Sequence, residues 1–455
     1  MKLLKQIILL VLTIAFMLFC FRTLQLYDRF HSDVDFSIEV KADHADDYQV
    51  FYTAGTNEWA EDSSIHQVYD KVGSWVRLHY TIPSDTTKLR LDVGSKKSHI
   101  ELRNMSIKAY STYDTHFTDL AFIDVQQIKV KDKLNNSVAM ITNGSDPYFS
   151  FNSAPIISKA LSGTNYFKTS KNILMSLIAG LLIYFIARYL RGTMCFTGRI
   201  LTEPRLVSSL ARNDFKTKYA ASYLGVVWGF VTPLLTIVTY WFVFQVGLRS
   251  GNVAEVPFIL WFIAGIVPWF FFSEALSGST NVFAEYSYLV KKVVFKIELL
   301  PSVKIISSLY VHLFFILFIF AVYGIYGYTP TLYSLQLIYY LFSMVVLVYS
   351  LSLLTSSIVL FFKDLNQIIS IILTIGFWFT PIGWSVTMLP DFWRNIFKLN
   401  PMYYIVQGFR DTFIDHILFY ERPYQFVYFW ILCLAILTLG TKVFKKLKPH
   451  FSDVI

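Results

Sequence analysis

Charge is scarce in this chain. Only 16% of its 455 residues are Asp, Glu, Lys or Arg, whereas 55% are hydrophobic. A soluble domain carries about 25% charged residues, so most of this chain is not solvated by water. Cysteine is almost missing as well: Cys20, Cys195 and Cys433 each sit in or beside an apolar run, and residues 31–165 contain none. That excludes a disulfide scaffold. There is also no G-x-x-x-x-G-K-[ST] phosphate loop, no H-E-x-x-H and no Cys/His cluster with zinc spacing. The sequence thus offers no catalytic residues, no metal ligands and no cofactor site. Any ATP and Mg needed for transport are expected on a partner subunit.

What is abundant is aromatic and apolar. There are 42 Phe and 29 Tyr, and the apolar residues fall in long runs. The net charge of +9 is uneven: Asp33 to Asn165 carries 18 acidic and 13 basic residues, a balance of −5, leaving +14 for the rest. A basic membrane part joined to a mildly acidic soluble part is what membrane topology produces, since Lys and Arg collect on the cytoplasmic side. Nucleic-acid binding is excluded by the same distribution, because the basic residues lie between apolar runs and form no stripe.

The runs give a topology. A short basic start precedes the apolar run Ile7 to Phe21, which reads as an uncleaved signal anchor for want of a small-x-small cleavage site. Its shortness leaves cleavage open as the alternative. Residues 1–30 are assigned to this anchor. From residue 31 to 170 the pattern turns to period 2, as in Phe36–Val40, Trp75–Tyr80 and Lys88–Val93, which predicts half-buried strands. Ala54-Gly55-Thr56-Asn57 and Ile82-Pro83-Ser84-Asp85 read as turns between strands, and the whole as an all-β sandwich of jelly-roll type outside the cytoplasm. A second span follows within 171–198, centred on Ile173 to Leu190.

Residues 199–455 then hold six further candidate spans: Val226–Val246, Pro257–Val282, Val303–Tyr326, Leu335–Phe362, Ile368–Met388 and Phe426–Thr441. A helix needs about 20 residues to cross the hydrocarbon core. Lys291, Lys292, Lys296, Lys363 and the cluster Lys442 to Lys448 all land on one side, the expected cytoplasmic one. The fold class is therefore an α-helical multi-pass membrane protein with an extracytoplasmic β-domain.

Three segments between spans stand out. Thr202 to Gly225 reads as a basic amphipathic helix lying in the membrane surface, with Thr202 as its cap. Val207, Ala211, Phe215, Tyr219 and Tyr223 form one stripe, with Arg205, Arg212, Lys216 and Lys218 on other faces. The plainer reading is a juxtamembrane linker. Phe283 to Lys296 is helical in length and rich in apolar residues for a loop. Tyr288, Leu289, Val290, Val293 and Phe295 are expected to be exposed for docking, unless the segment simply extends its span. In the third, Pro381 and Gly383 break the fifth span, and the stretch to His416 reads as half-helices dipping into the opposite membrane face.

These residues carry a resemblance. Arg212-Asn213-Asp214-Phe215-Lys216-Thr217-Lys218-Tyr219 is followed by Leu224-Gly225-Val226-Val227-Trp228-Gly229 and Pro233. Then come Gly265-Ile266-Val267-Pro268-Trp269 and Leu289-Val290-Lys291-Lys292-Val293-Val294-Phe295. Together with Phe379-Thr380-Pro381-Ile382, Asn400-Pro401 and Phe409-Arg410, the series resembles the permease subunits of type-2 ABC exporters. The branch most alike exports O-antigen, teichoic acid and rhamnose-rich polysaccharides. The likeness covers about Arg199 to Lys446. The β-domain and first two spans are additions to the family pattern.

The resemblance implies an interface helix holding Arg205, Arg212, Phe215, Lys216, Lys218 and Tyr219. It also implies an ATPase-coupling helix of Tyr286, Tyr288, Leu289, Val290, Lys291, Lys292, Val293 and Phe295. Gate and channel positions would include Pro381, Asn400, Pro401, Tyr403 and Arg410. Two permeases would pair as a homodimer with two ABC ATPase subunits, carrying lipid-linked polysaccharide across the cytoplasmic membrane.

A path for sugar through lipid must offer partners for hydroxyls. Tyr240, Trp241, Tyr323, Tyr339, Tyr349, Trp378 and Trp384 are candidates by residue type, with interfacial belts and helix packing as the competing explanation. Glu274 and His312 lie within apolar runs and read as structural contacts. In the β-domain, Trp59, Trp75, Tyr52 and Tyr69 are candidate glycan contacts, against the alternative of core packing. Two other functions remain: an exporter of another lipid-like substrate, and a membrane glycosyltransferase using Asp33 and Asp35 on lipid-linked sugars.

Overall fold

A computed structural model describes the chain except residues 1, 31, 55–58, 199–201, 219, 221–222, 248, 250, 252, 254–255, 292–294 and 455. It divides into two compact units, Met1–Leu181 and Leu182–Ile455.

The first unit opens with helix α1 (Lys2–Phe30), longer than the predicted run because Arg22 to Arg29 continue the helix beyond the apolar stretch. Eleven strands follow: β1 (Asp33–Ala42), β2 (Asp46–Thr53), β3 (Ser64–Tyr69), β4 (Val76–Pro83), β5 (Lys88–Val93), β6 (His99–Lys108), β7 (Thr112–Asp114), β8 (Phe122–Gln126), β9 (Ile128–Lys133), β10 (Ser137–Thr142) and β11 (Tyr148–Asn152). One sheet runs β4-β1-β6-β10-β9 with β7 beside β6, and the other β3-β2-β5-β11-β8. Every ladder is antiparallel. Alternation puts Phe36, Ile38 and Val40 of β1 and Leu89, Leu91 and Val93 of β5 into one shared core. Two of its buried tyrosines are hydrogen-bonded. Tyr80 Oη donates to the Tyr48 carbonyl at 3.2 Å, and Tyr69 Oη donates to the Ser74 carbonyl at 2.9 Å.

The expected turn at Pro83 forms, with Thr86 N donating to the Pro83 carbonyl at 3.2 Å. The other expected turn lies largely outside the described residues. The domain is not wholly β: Pro155 seeds a short helix, α2 (Ala154–Ala160), which buries Ile156 and Ile157 in the sandwich core. Helix α3 (Tyr166–Gly198) follows. Asp28 near the end of α1 takes Lys171 Nζ at 3.2 Å and Asn172 Nδ2 at 2.9 Å, both from α3. The Asp28 carbonyl accepts from Tyr110 Oη of the β-domain at 3.0 Å.

The second unit is helical. Helix α4 (Pro204–Lys218) is followed by α5 (Trp228–Trp241), which runs into a π-helical turn at Phe242–Gly247. Helix α6 (Phe258–Thr280) is buried over most of its length and stands at the centre. Two short turns, α7 (Val282–Glu285) and α8 (Ser287–Val290), lead to α9 (Leu300–Ile325), α10 (Gln336–Val359) and α11 (Leu365–Phe379). The chain closes with α12 (Asp391–Phe397), α13 (Pro401–Arg410), α14 (Pro423–Leu447) and α15 (Phe451–Val454).

Among the described residues, seven helices are long and apolar enough to span a membrane: α1, α3, α5 with its flanking turns, α6, α9, α10 and α14. The predicted span Ile368–Met388 is corrected. Its helix, α11, stops at Phe379 after 15 residues, roughly 22 Å at 1.5 Å per residue, because Thr380 turns extended ahead of Pro381. Helices α10 and α14 approach closely through small residues. A Cβ on Gly440 would lie 3.2 Å from backbone atoms of Ser350 and Leu354.

Candidate functional site

The amphipathic helix forms, and it buries the first residues of the predicted stripe, Val207 and Ala211, with Asp214 beside them. α4 begins at Pro204, directly after Glu203, whose carbonyl accepts from Val207 N at 3.1 Å, so Thr202 is not the cap. Val207 and Ala211 pack on Leu299 and Val303 at the start of α9. Phe215 is half-buried against Tyr310, while Arg205, Arg212, Lys216 and Lys218 stay exposed. The helix ends at Lys218, so Tyr223 lies beyond it, fully exposed, and Tyr219 lies outside the described residues.

The third buried residue of α4 is Asp214, a carboxylate turned inward from a basic helix. Lys304 of α9 reaches it at 2.8 Å and also pairs with Glu285 of α7. Tyr286 Oη donates to the same Asp214 oxygen at 2.9 Å. Burial, and then the neighbouring carboxylate, push the Tyr286 phenol above its ordinary range, so it stays a donor. Three elements distant in sequence are thus tied at one lysine. They border a polar cavity of about 500 Å³ that includes Asn213, Lys218, Glu274 and Ser308.

The coupling segment is less exposed than its apolar content predicts. It is two separate turns, not one helix. Val290 is buried and Leu289 and Phe295 are half-buried against the main core, while Tyr288 is exposed. Tyr286 is engaged with Asp214, Lys291 is exposed at the end of α8, and Lys292 and Val293 lie outside the described residues. The apolar side chains fold back because the bundle has room for them, a choice burial favours at about 25 cal/mol per Å².

A groove of about 400 Å³ opens between α5, α6 and α11. Its walls hold Thr232 and Thr236, Ser273 and Ser277, Ser370, and the carboxylate of Glu274. Thr236 donates to the Thr232 carbonyl, Ser273 to that of Phe270 and Ser370 to that of Asn366, so these three hydroxyl protons are used within their own helices. The oxygens remain as acceptors. Glu274 borders both the groove and the polar cavity, and Lys218 Nζ meets it at 2.5 Å.

At the opposite end of the bundle, the break after α11 is clamped to α13. Arg410, buried at 3% exposure, donates to the carbonyls of Pro381 at 2.7 Å and Ile382 at 2.9 Å. Its guanidinium lies 3.4 Å from the centre of the Trp261 ring, a cation–π contact. Gly265 makes room: a Cβ there would stand 2.8 Å from Arg410 Nη2. Asn400 caps α13 by accepting from Met402 N, and its amide reaches Thr380 Oγ1 at 2.8 Å.

Residues 205–414 match the profile of the ABC-2 type transporter. They form an ABC-2 type transporter domain. Two Klebsiella pneumoniae proteins named O-antigen export system permease protein RfbA are similar to this chain. They are 28% identical over 254 residues and 29% over 255, each match covering 55% of this chain and 95% of the relative. A Myxococcus xanthus protein of the same name is 26% identical over 257 residues, with the same coverage. The family is one of membrane transport subunits, not enzymes, which replaces the glycosyltransferase alternative. Asp33 and Asp35, on which that alternative rested, sit in β1, where Asp35 faces His79 across the ladder to β4.

Within the ABC-2 domain, the structure gathers Trp378, Pro381, Trp384, Asn400, Pro401, Tyr403 and Arg410 at the α11–α13 junction, where Trp384 Nε1 donates to the Trp378 carbonyl. Tyr240 packs among Phe244, Phe262 and Phe377 instead, and Trp241 is exposed on α5. Tyr323 and Tyr349 are buried, Tyr339 stacks on Phe419, and His312 lies between Phe271 and Phe409. All four pack within the bundle, and Tyr323 also lines a cavity with Tyr328 and Phe413. Glu274 makes the hydrogen-bonded contact expected of it, to Lys218.

Of the candidate glycan contacts, Tyr69 is wholly buried and bonded within the core, and Tyr52 packs half-buried against it. Trp75 lies under the Arg103 guanidinium at 3.9 Å, and Trp59 stands in the β2–β3 connection. They form no common platform. The groove hydroxyls were missed because Ser and Thr are unremarkable inside spans. Their i,i+4 recurrence on separate helices, Thr232/Thr236, Ser273/Ser277 and Ser370/Thr374, is the signal that points to them.

Proposed function

We propose that this chain is the membrane subunit of an ATP-driven exporter of lipid-linked polysaccharide. The observation that carries the reading is the match across 95% of the length of O-antigen export permeases, on a bundle whose hydroxyl-lined groove joins a polar cavity through Glu274. A separate ABC ATPase, in two copies with ATP and Mg, docks against α8 and the exposed face of α4. The α4 end faces the cytoplasm, in keeping with Lys291, Lys363 and Lys442 to Lys448 at that end. The protein resides in the cytoplasmic membrane, and the β-domain lies outside the cytoplasm.

The groove alone is open on one side. α5 is almost unburied along its length, and α11 turns Ile368, Ile371, Ile372 and Ile375 outward. A second copy of the chain meeting these faces would enclose a two-sided path, with Thr232, Thr236 and Ser370 supplying acceptors to sugar hydroxyls. Detergent-solubilised chain, co-expressed with the ATPase of its own system, should bring that ATPase down in equal amount. Deleting the chain should stop polymer reaching the cell surface while lipid-linked polymer accumulates inside. Surface polymer at normal levels in the deletion strain would refute the proposal.

A further inference from the structure

A second site lies at the end of the bundle away from α4. Helix α9 finishes at Ile325, and the connection to α10 folds back over the last turn of α13, enclosing about 250 Å³. Its lining is rich in aromatic rings: Tyr323, buried, stands 4.9 Å from Phe413 and 6.0 Å from Tyr328. Its mouth carries Thr329, the Tyr328 phenol and His416, while Thr412 lies at its floor. Tyr323 Oη is already committed to the Leu260 carbonyl, and Thr412 Oγ1 to that of Gly408. No hydrogen bond within the described residues engages the His416 ring nitrogens, whose ring packs on Tyr333 at 5.1 Å.

The backbone around this cavity is unusual twice over. α13 ends in a π-helical turn, Asp411–Asp415, a form that occurs mostly as single turns at functional sites. The next residue, His416, sits at φ 52° in the left-handed region, uncommon for any residue but glycine. Strain of this kind persists only where surrounding structure enforces it, and it clusters at ligand clamps. Here the enforcement is visible. Arg422 holds both oxygens of Asp411 at 2.7 and 2.9 Å, and Ile417 N donates to the Asp411 carbonyl at 3.1 Å. The cavity is held in shape before anything enters it, which lowers the ordering cost of binding.

We propose that this cavity binds one sugar ring of the exported polymer. Aromatic rings suit the C–H surface of a pyranose, and the phenol, threonine and imidazole in the lining suit its hydroxyls. The space takes a single ring, not a chain. The identity of the ligand as part of the cargo rests on the exporter reading, while the chemistry of the cavity does not. A ring held here would steady the polymer at the far side of the membrane between strokes.

The test uses the full chain in lipid nanodiscs with the methyl glycosides of glucose, galactose, mannose and rhamnose as probes, read by saturation-transfer NMR. At least one glycoside should receive magnetisation at its ring C–H protons. Tyr328→Ala and His416→Gly should each weaken that binding tenfold or more, and Tyr328→Phe should retain most of it. Glycine suits the left-handed backbone, so His416→Gly removes the imidazole without strain, and an unchanged melting temperature checks this. No transfer to any of the four, or transfer that survives both variants, overturns the proposal. ATPase co-purification measured on the same preparations separates the two readings: its loss from the wild-type chain would sink the exporter assignment, while its retention without sugar binding would sink the cavity alone.

Discussion

Replacing Lys304 by Met should break the tie between α4, α7 and α9 and leave the bundle otherwise intact. The ammonium is 15% exposed and Asp214 8%, so the substitution leaves a nearly buried carboxylate with only the Tyr286 hydroxyl as partner. Stranding one member of a buried pair costs about 3–5 kcal/mol. The Glu285 half of the contact adds little, since that carboxylate is 47% exposed. Adding Asp214→Leu to Lys304→Met should recover part of the loss, because no charge is then stranded, with a coupling energy of about 0.5–3 kcal/mol in a double-mutant cycle. The cycle is read by urea or thermal denaturation of the purified protein. A second readout addresses function: ATP hydrolysis by the assembled complex should continue in Lys304→Met while polymer export falls. Additive single effects, or export at wild-type rate with stability lost, would refute the idea that this lysine transmits motion between the elements it joins.

Other substitutions test the packing and the β-domain. Gly408→Ala would place a Cβ 2.0 Å from the Tyr340 ring and should destabilise the protein by about 1–3 kcal/mol, whereas Gly192→Ala, with nothing closer than 3.9 Å, should be neutral; thermal melts of both in detergent decide. Arg410→Met strands the Pro381 and Ile382 carbonyls at about 1–3 kcal/mol each and should loosen the α11–α13 junction, read as faster hydrogen exchange across Phe379–Trp384. In the β-domain, hydrogen bonding to Asp47 leads the effects that raise the His66 pKa above its ordinary value. A raised folded-state value means the stabilisation is full below the unfolded pKa, about 6.5, and is lost as pH rises through the folded one. The β-domain of the wild type should therefore melt at a lower temperature at pH 8.5 than at pH 5.5, and His66→Gln should flatten that slope.

Spans and strands were legible because burial imposes a period on sequence. Leu89-Arg90-Leu91-Asp92-Val93 alternates and becomes β5, while the apolar runs become α6, α9 and α10 nearly end to end. Motif order around those runs carried the family. What escaped was whatever depends on partners remote in the chain. Asp214 looks like one acid on a basic helix until Lys304, ninety residues on, is brought against it. Val290 and Leu289 look available for docking until the bundle supplies a core to fold into. Tyr69 looks like a sugar platform until two sheets close over it. Composition reports how much apolar surface exists, and only packing decides which of it meets solvent.

The Asp28 clasp has a mechanical consequence. Helix α1 leads into the sandwich and α3 leads out of it, and the Asp28 carboxylate ties the end of one to the start of the other. Tyr110 of the sandwich bonds to the carbonyl of the same residue, so one residue holds both helices by its side chain and the sandwich by its backbone. Asp28→Ala would release Lys171 and Asn172 and untie the two helices, while Tyr110, bonded to the backbone carbonyl, would keep its partner.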